Sequence, residues 1–164
     1  MNLDSFRDMY VAELQELRSV EAQLIDALPR MADMASHPEL KQAIQAHFDE
    51  TRSQQSRLDA LLRRHKADPR EHVDQAMQAM LREAEKWAGM VQDQDLRDAG
   101  LIASAQRVEH YEIAVYGSLA TWAKQLGLDE DLQALLDILE EEKRTDDKLT
   151  TLAKRVVNPD AAAT

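Results

Sequence analysis

The sequence predicts an all-α protein: a bundle of four long helices with a short extra helix in the connection between the second and the third. Three observations carry this. Apolar residues recur at three- and four-residue steps over long stretches. Only four Gly and four Pro are present and aromatics make up 4%, which disfavours sheets with their glycine turns and aromatic pairs. Helix start and stop signals fall between the periodic stretches. With 164 residues and no cysteine, the chain reads as one domain, residues 1–157 with a frayed tail at 158–164, large enough for a core without disulfides or zinc thiolates.

The first helix begins near the amino terminus, with Leu3, Phe6, Tyr10, Leu14, Leu17, Glu21, Leu24, Leu28 and Met31 along its stripe. Pro29 removes a backbone donor there, so a kink or an end is expected, and Ser36 with Glu39 makes a capping box for the next helix. That second helix starts near His37 and turns Leu40, Ile44, His47, Thr51, Gln54, Leu58, Leu61 and His65 inward, with Glu50 to one side. Asp68-Pro69-Arg70-Glu71 reads as the start of the short helix, an N-cap acid followed by a first-turn proline. Its face, Val73, Met77, Met80, Ala84, Trp87 and Val91, holds no acid and suits packing in the core or between subunits.

The third long helix covers Arg97 to Leu126, with Ile102, Ala105, Glu109, Glu112, Tyr116, Leu119 and Ala123 on one side. Gly127 supplies a left-handed stop, and Asp129 to Asp131 open the fourth helix after a very short connection. Its inward stripe is Leu132, Leu135, Leu139, Glu142, Asp146, Leu149 and Leu152, ending before Asn158-Pro159.

Each long helix thus interrupts its apolar stripe with polar groups near mid-length. Glu21, His47, Glu50, Glu109, Glu112, Glu142 and Asp146 converge at one level if the helices pack antiparallel. No Lys or Arg occupies the inward positions. Several unpaired carboxylates would cancel a stability of only ~5 to 15 kcal/mol, so a cation is required. Oxygen donors with an imidazole suit iron or manganese, and a metal pair bridged by glutamates is the established solution in such bundles. The competing reading is an ordinary ion-pair network in which Arg18, Arg57, Arg107 or Lys143 bends inward. His110 lies about 100° around the helix from Glu109, toward a neighbouring helix or a dimer surface. Tyr116 reads as a core tyrosine with its hydroxyl satisfied, and His37, His65 and His72 as surface residues near helix ends.

A net charge of -11 and a pI near 4.9 exclude a nucleic-acid footprint. The opening MNLDSFRDMYVAEL lacks an apolar run and no segment is long enough to span a bilayer, so cytoplasmic residence is expected and a membrane is not. No nucleophile constellation, phosphate loop or thiol pair is present.

At RVEHYEIAVYGSLATWAKQLGL, with SVEAQLIDALPRMA, HFDET at 47–51 and LEEEKRTDDKL at 139–149, the chain resembles the YciE/YciF family of bacterial stress proteins over nearly its whole length. The resemblance implies a ferritin-like four-helix bundle, a homodimer, a di-metal centre and a part in stress responses. The wider ferritin-like pattern is a Glu on one helix and Glu-x-x-His on the next, repeated in the second pair. Glu21 and Glu109 match the single glutamates, and Glu50 and Glu142 the first members of the paired motifs. Ser53 and Thr145 stand where histidines belong, while His47, Glu112 and Asp146 add donors, so the site is richer in oxygen than a typical ferroxidase centre. The implied activity is oxidation of ferrous iron or consumption of peroxide, with oxygen or peroxide as the small partner. The alternatives are a non-catalytic dimeric bundle without a functional metal site, and a ferritin-type storage cage.

Overall fold

The structure, a computed structural model, describes residues 3–164. The first two positions of the expected domain lie outside the described residues. Four long helices and one short crossover helix form the bundle, as the periodicity predicts.

Helix α1, Phe6–Met34, starts at Ser5, whose side chain accepts the Asp8 N–H. It does not end at Pro29 but runs on for more than a turn. Pro29 lies on the exposed side, where water can satisfy the carbonyl that the missing N–H leaves free. Helix α2, Pro38–Arg64, is capped by His37 and not by the expected Ser36/Glu39 box. Pro38 fixes the first helical position, His37 Nδ1 accepts the Glu39 N–H at 3.2 Å, and Asp98 takes the N–H groups of Ser36 and His37 at 2.9 and 2.6 Å.

The expected helix start at Asp68 is corrected: Asp68 Oδ1 accepts the Arg70 N–H at 2.9 Å in a local turn, and α3, Gln75–Met90, begins later at the N-cap Asp74. Both sites have the acid that a cap needs. Asp74 wins because its N–H is held by Ser19 Oγ and its other carboxylate oxygen by the Tyr111 hydroxyl, contacts that exist only after the chain packs. Val73 therefore falls outside the helix and is exposed. Met77 and Ala84 are buried, whereas Trp87 is exposed, with its indole donating to Glu83.

Helix α4, Gln94–Gln125, ends in a Schellman arrangement: Gly127 has φ +68°, its N–H reaches the Lys124 carbonyl at 3.2 Å, and the Leu128 N–H reaches Ala123 at 2.9 Å. Helix α5, Asp129–Leu152, follows at once. The chain then stays helical where an end was expected, through a π-helical turn at Ala153–Val157 and α6, Asn158–Ala162, which rests on α4. Pro159 is tolerated because it occupies the opening turn of α6.

The helices pair as two hairpins, α1 with α2 and α4 with α5. They close on each other through α1 against α4 and α2 against α5, while α3 lies over α4 and α1. Near the bundle end carrying Tyr10, His65 corrects the reading of it as a surface residue. The buried Asp131 carboxylate accepts the Tyr10 hydroxyl at 2.8 Å and Arg64 Nη2 at 2.6 Å, with His65 Nε2 at 2.6 Å. Burial alone would raise the Asp131 pKa. The bonds from His65, Tyr10 and Arg64 together outweigh it and hold the carboxyl below its ordinary range.

A depressed carboxylate contributes stability above its unfolded pKa of about 3.9, and that contribution is lost as pH falls through the folded value. Asp131→Asn is expected to lower unfolding stability by about 2 to 3 kcal/mol at neutral pH, with the gap to the parent protein closing below about pH 4. Urea titrations at several pH values check this.

Candidate metal centre

Mid-length on the bundle, one side chain of α2, two of α4 and one of α5 meet. His47, Glu109, Glu112 and Glu142 each place a donor atom so that all four lie within 4.8 Å of one another. The three glutamates are at most 1% exposed and His47 is 5% exposed. Helical spacing explains the set: Glu109 and Glu112 stand three residues apart on one face of α4, and the apolar residues on either side of them drag that face inward. Fully buried Glu21 of α1 lies beside the group, one carboxylate oxygen accepting the Tyr116 hydroxyl.

Few of these atoms are satisfied. His47 Nδ1 comes within 3.1 Å of Glu109 Oε1 and His47 Nε2 within 4.0 Å of Glu142 Oε2. Yet the Glu109 oxygens, the Glu112 oxygens, Glu142 Oε2, Glu21 Oε2 and His47 Nε2 are all buried without a hydrogen-bond partner. The close Nδ1 to Oε1 approach is thus proximity without a properly directed bond. The Gln54 amide donates to Glu142 Oε1. Among the described residues, no Lys or Arg pairs with the five buried groups. Arg18 pairs with Asp59 at 2.9 Å, Arg57 Nη1 with Glu141 at 3.0 Å, Lys143 with Glu140 at 2.7 Å, and Arg107 is exposed.

Burial is the first cause of every shift here. It pushes Glu21, Glu109 and Glu112 well above the usual carboxylate range, with the Glu142 charge adding to each. It raises Glu142 to about 7, helped by Glu50 and Glu141 and opposed by the Gln54 amide and the neighbouring Glu109 carboxyl. It lowers His47 to about 4, so the imidazole is neutral at pH 7 and keeps a lone pair for ligation. Hard oxygen donors and one neutral imidazole, with no Lys or Arg paired to them among the described residues, could hold a metal ion.

Two of the seven expected residues stand outside this group. Glu50 is half-buried and accepts the Thr145 hydroxyl at 3.1 Å. Asp146, also half-buried, accepts from Gln106 at 3.2 Å and lies 3.3 Å from Nε2 of the exposed His110. A helix of 3.6 residues per turn can continue from Glu142 to either 145 or 146, and here Thr145 takes the inward place. Sequence reading did not find the Tyr116 bond to Glu21, since the two residues are 95 positions apart. Gln54 was legible only as an inward polar residue.

Two helical hairpins, a crossover helix and a buried His/Glu cluster at mid-length define a ferritin-like four-helix bundle. Within that class, the chain belongs to the family described as "Domain of unknown function (DUF892)", which matches residues 5–162. It is 41% identical over 165 residues to Protein YciF of Escherichia coli (strain K12), covering 98% of each chain. The crystal structure of the E. coli stress protein YciF matches with a TM-score of 0.90 at 40% identity, covering 95% of this chain and 99% of that one. YcfI from Rhodopseudomonas palustris matches at 0.89 and 35% identity, over 92% of this chain and 96% of that one. The resemblance seen in the sequence motifs is thereby borne out. Among the described residues, no helix is long and apolar enough to cross a membrane.

A carboxyl raised by folding favours the folded state fully below its unfolded pKa, and the contribution is lost as pH rises through the folded value. For Glu142 that window runs from about 4.3 to about 7. Chelator-stripped protein is therefore expected to lose roughly 3 kcal/mol of stability between pH 4 and pH 8 from this group. Glu142→Gln should flatten the slope in thermal melts.

Proposed function

We propose that His47, Glu109, Glu112 and Glu142, joined by Glu21, hold a di-metal centre of iron or manganese, and that the protein oxidises ferrous iron or consumes peroxide during stress. The observation that carries this reading is the charge of the buried set. Four glutamates, ionised, bring a charge of -4 into the core with no Lys or Arg paired to them among the described residues. One divalent ion leaves half of that uncompensated; two neutralise it. Two ions would also engage more of the unpartnered oxygens of Glu21, Glu109, Glu112 and Glu142 than one.

When bound, such ions supply changes of oxidation state next to oxygen or peroxide. The chain's own residues prepare the place. The Tyr116 hydroxyl fixes one oxygen of Glu21 and leaves the other free, and Gln54 does the same for Glu142. Burial keeps His47 uncharged and excludes bulk water. YciF is described as a stress protein, which supports the stress role assigned here. We further assign the protein to the cytoplasm, as a homodimer.

A second reading has its own support. The same burial that calls for a cation also favours protonated carboxyls, so a metal-free structural bundle is a coherent alternative, and YcfI is described only as a candidate structural protein.

Protein purified without chelators from iron- and manganese-replete cells is expected to carry two transition-metal ions per chain by elemental analysis, and Glu109→Ala to lose at least one. Metal-free protein in the parent sample overturns the centre. For the structural bundle the expectation is opposite: Glu109→Leu keeps or raises the melting temperature with or without added metal, because a desolvated carboxyl is removed.

A further inference from the structure

Beside His47, the one of the four converging donors that lines it, the bundle contains a small cavity of about 40 Å³ between α2 and α5. A single water needs roughly 10 to 15 Å³ by this kind of measure, so the space admits about three water-sized molecules at most. Leu28, Ile44, Ala105 and Leu149 give it apolar walls, and His47 closes one side. Its polar lining is partly self-satisfied, because the Thr145 hydroxyl donates to Glu50 at 3.1 Å. The buried His47 ring, by contrast, keeps Nε2 without a hydrogen bond.

This cavity is not isolated. A surface groove of about 510 Å³ lies over it, rimmed by Glu39, Asp147 and Arg155, and the two spaces share Ala43, Ala46 and Lys148 in their walls. The Arg155 to Glu39 ion pair at 2.8 Å spans part of the rim. Two alanines at this seam keep α2 and α5 from filling the space between them.

We infer that this cavity is an antechamber for a small uncharged molecule of dioxygen's size, reached from the groove past Ala43 and Ala46. Size and wall chemistry select that class. A hydrated divalent cation exceeds the space, and one stripped of water would pay several kcal/mol to cross a largely apolar wall. An uncharged diatomic pays neither cost and arrives at a ligand of the proposed centre. The inference rests on the proposed metal centre for its purpose, but the cavity itself needs no metal.

Xenon is the probe, since it seats in dry apolar cavities. Xenon-129 NMR in solution, together with crystals held under xenon pressure, is expected to show one xenon site between α2 and α5. Ala43→Leu, filling the shared wall, should abolish that site, and Ala46→Leu at the exposed rim should slow xenon exchange with bulk while leaving the melting temperature near that of the parent. An absent xenon site in the parent protein overturns the inference, and so does a site indifferent to Ala43→Leu. If Ala43→Leu fails to fold, unchanged exchange in Ala46→Leu overturns it. Metal analysis is a separate measurement: protein without bound metal but with the xenon site loses the proposed centre and keeps the antechamber, and the converse result separates them the other way.

Discussion

Taking an ionised carboxylate out of water costs several kcal/mol even after its surroundings relax. This chain places four carboxyl groups where that cost applies, at Glu21, Glu109, Glu112 and Glu142, all at most 1% exposed, and the cost shows as pKa values raised by burial at each of them. The apolar layers above and below, with Leu14, Leu17, Tyr10 and Leu119 among the fully buried residues, have to hold the helices together across this level. Basic side chains that might have relieved it are instead engaged at the periphery, where Arg18 and Arg57 pair with Asp59 and Glu141.

The polar groups bordering the cluster form a frame around it. Tyr116 and Gln54 each satisfy one oxygen of a glutamate and leave the second bare. Side chains held in this way are oriented before any ligand arrives, which reduces the ordering cost of binding. The Asp131 clasp at the Tyr10 end shows the contrast. There a buried carboxylate is met by Tyr10, Arg64 and His65 and its pKa falls, whereas Glu109 and Glu112 have no donor on either oxygen and their pKa values rise.

Much of this was legible in the sequence. Three- and four-residue recurrence located the long helices, and Gly127 marked the α4 terminus, because each depends on local geometry. The inward acids were legible as breaks in the stripes. What escaped was decided by contacts between distant residues. Asp74 replaced Asp68 as a helix cap through Ser19 and Tyr111, and His37 became a cap with help from Asp98 on α4. Asp146 and Thr145 are both compatible with the α5 stripe, and only packing puts Thr145 inside.

The short Schellman connection at Gly127 ties α4 to α5, so Glu109, Glu112 and Glu142 come as one preassembled group from a single hairpin. Glu21 and His47 come from the other hairpin, which is joined to the first only through the α3 crossover. Neither half holds all five buried groups. An ion seated among them would act as a rivet across the seam between the halves, making metal occupancy a reporter of how tightly the two hairpins are closed.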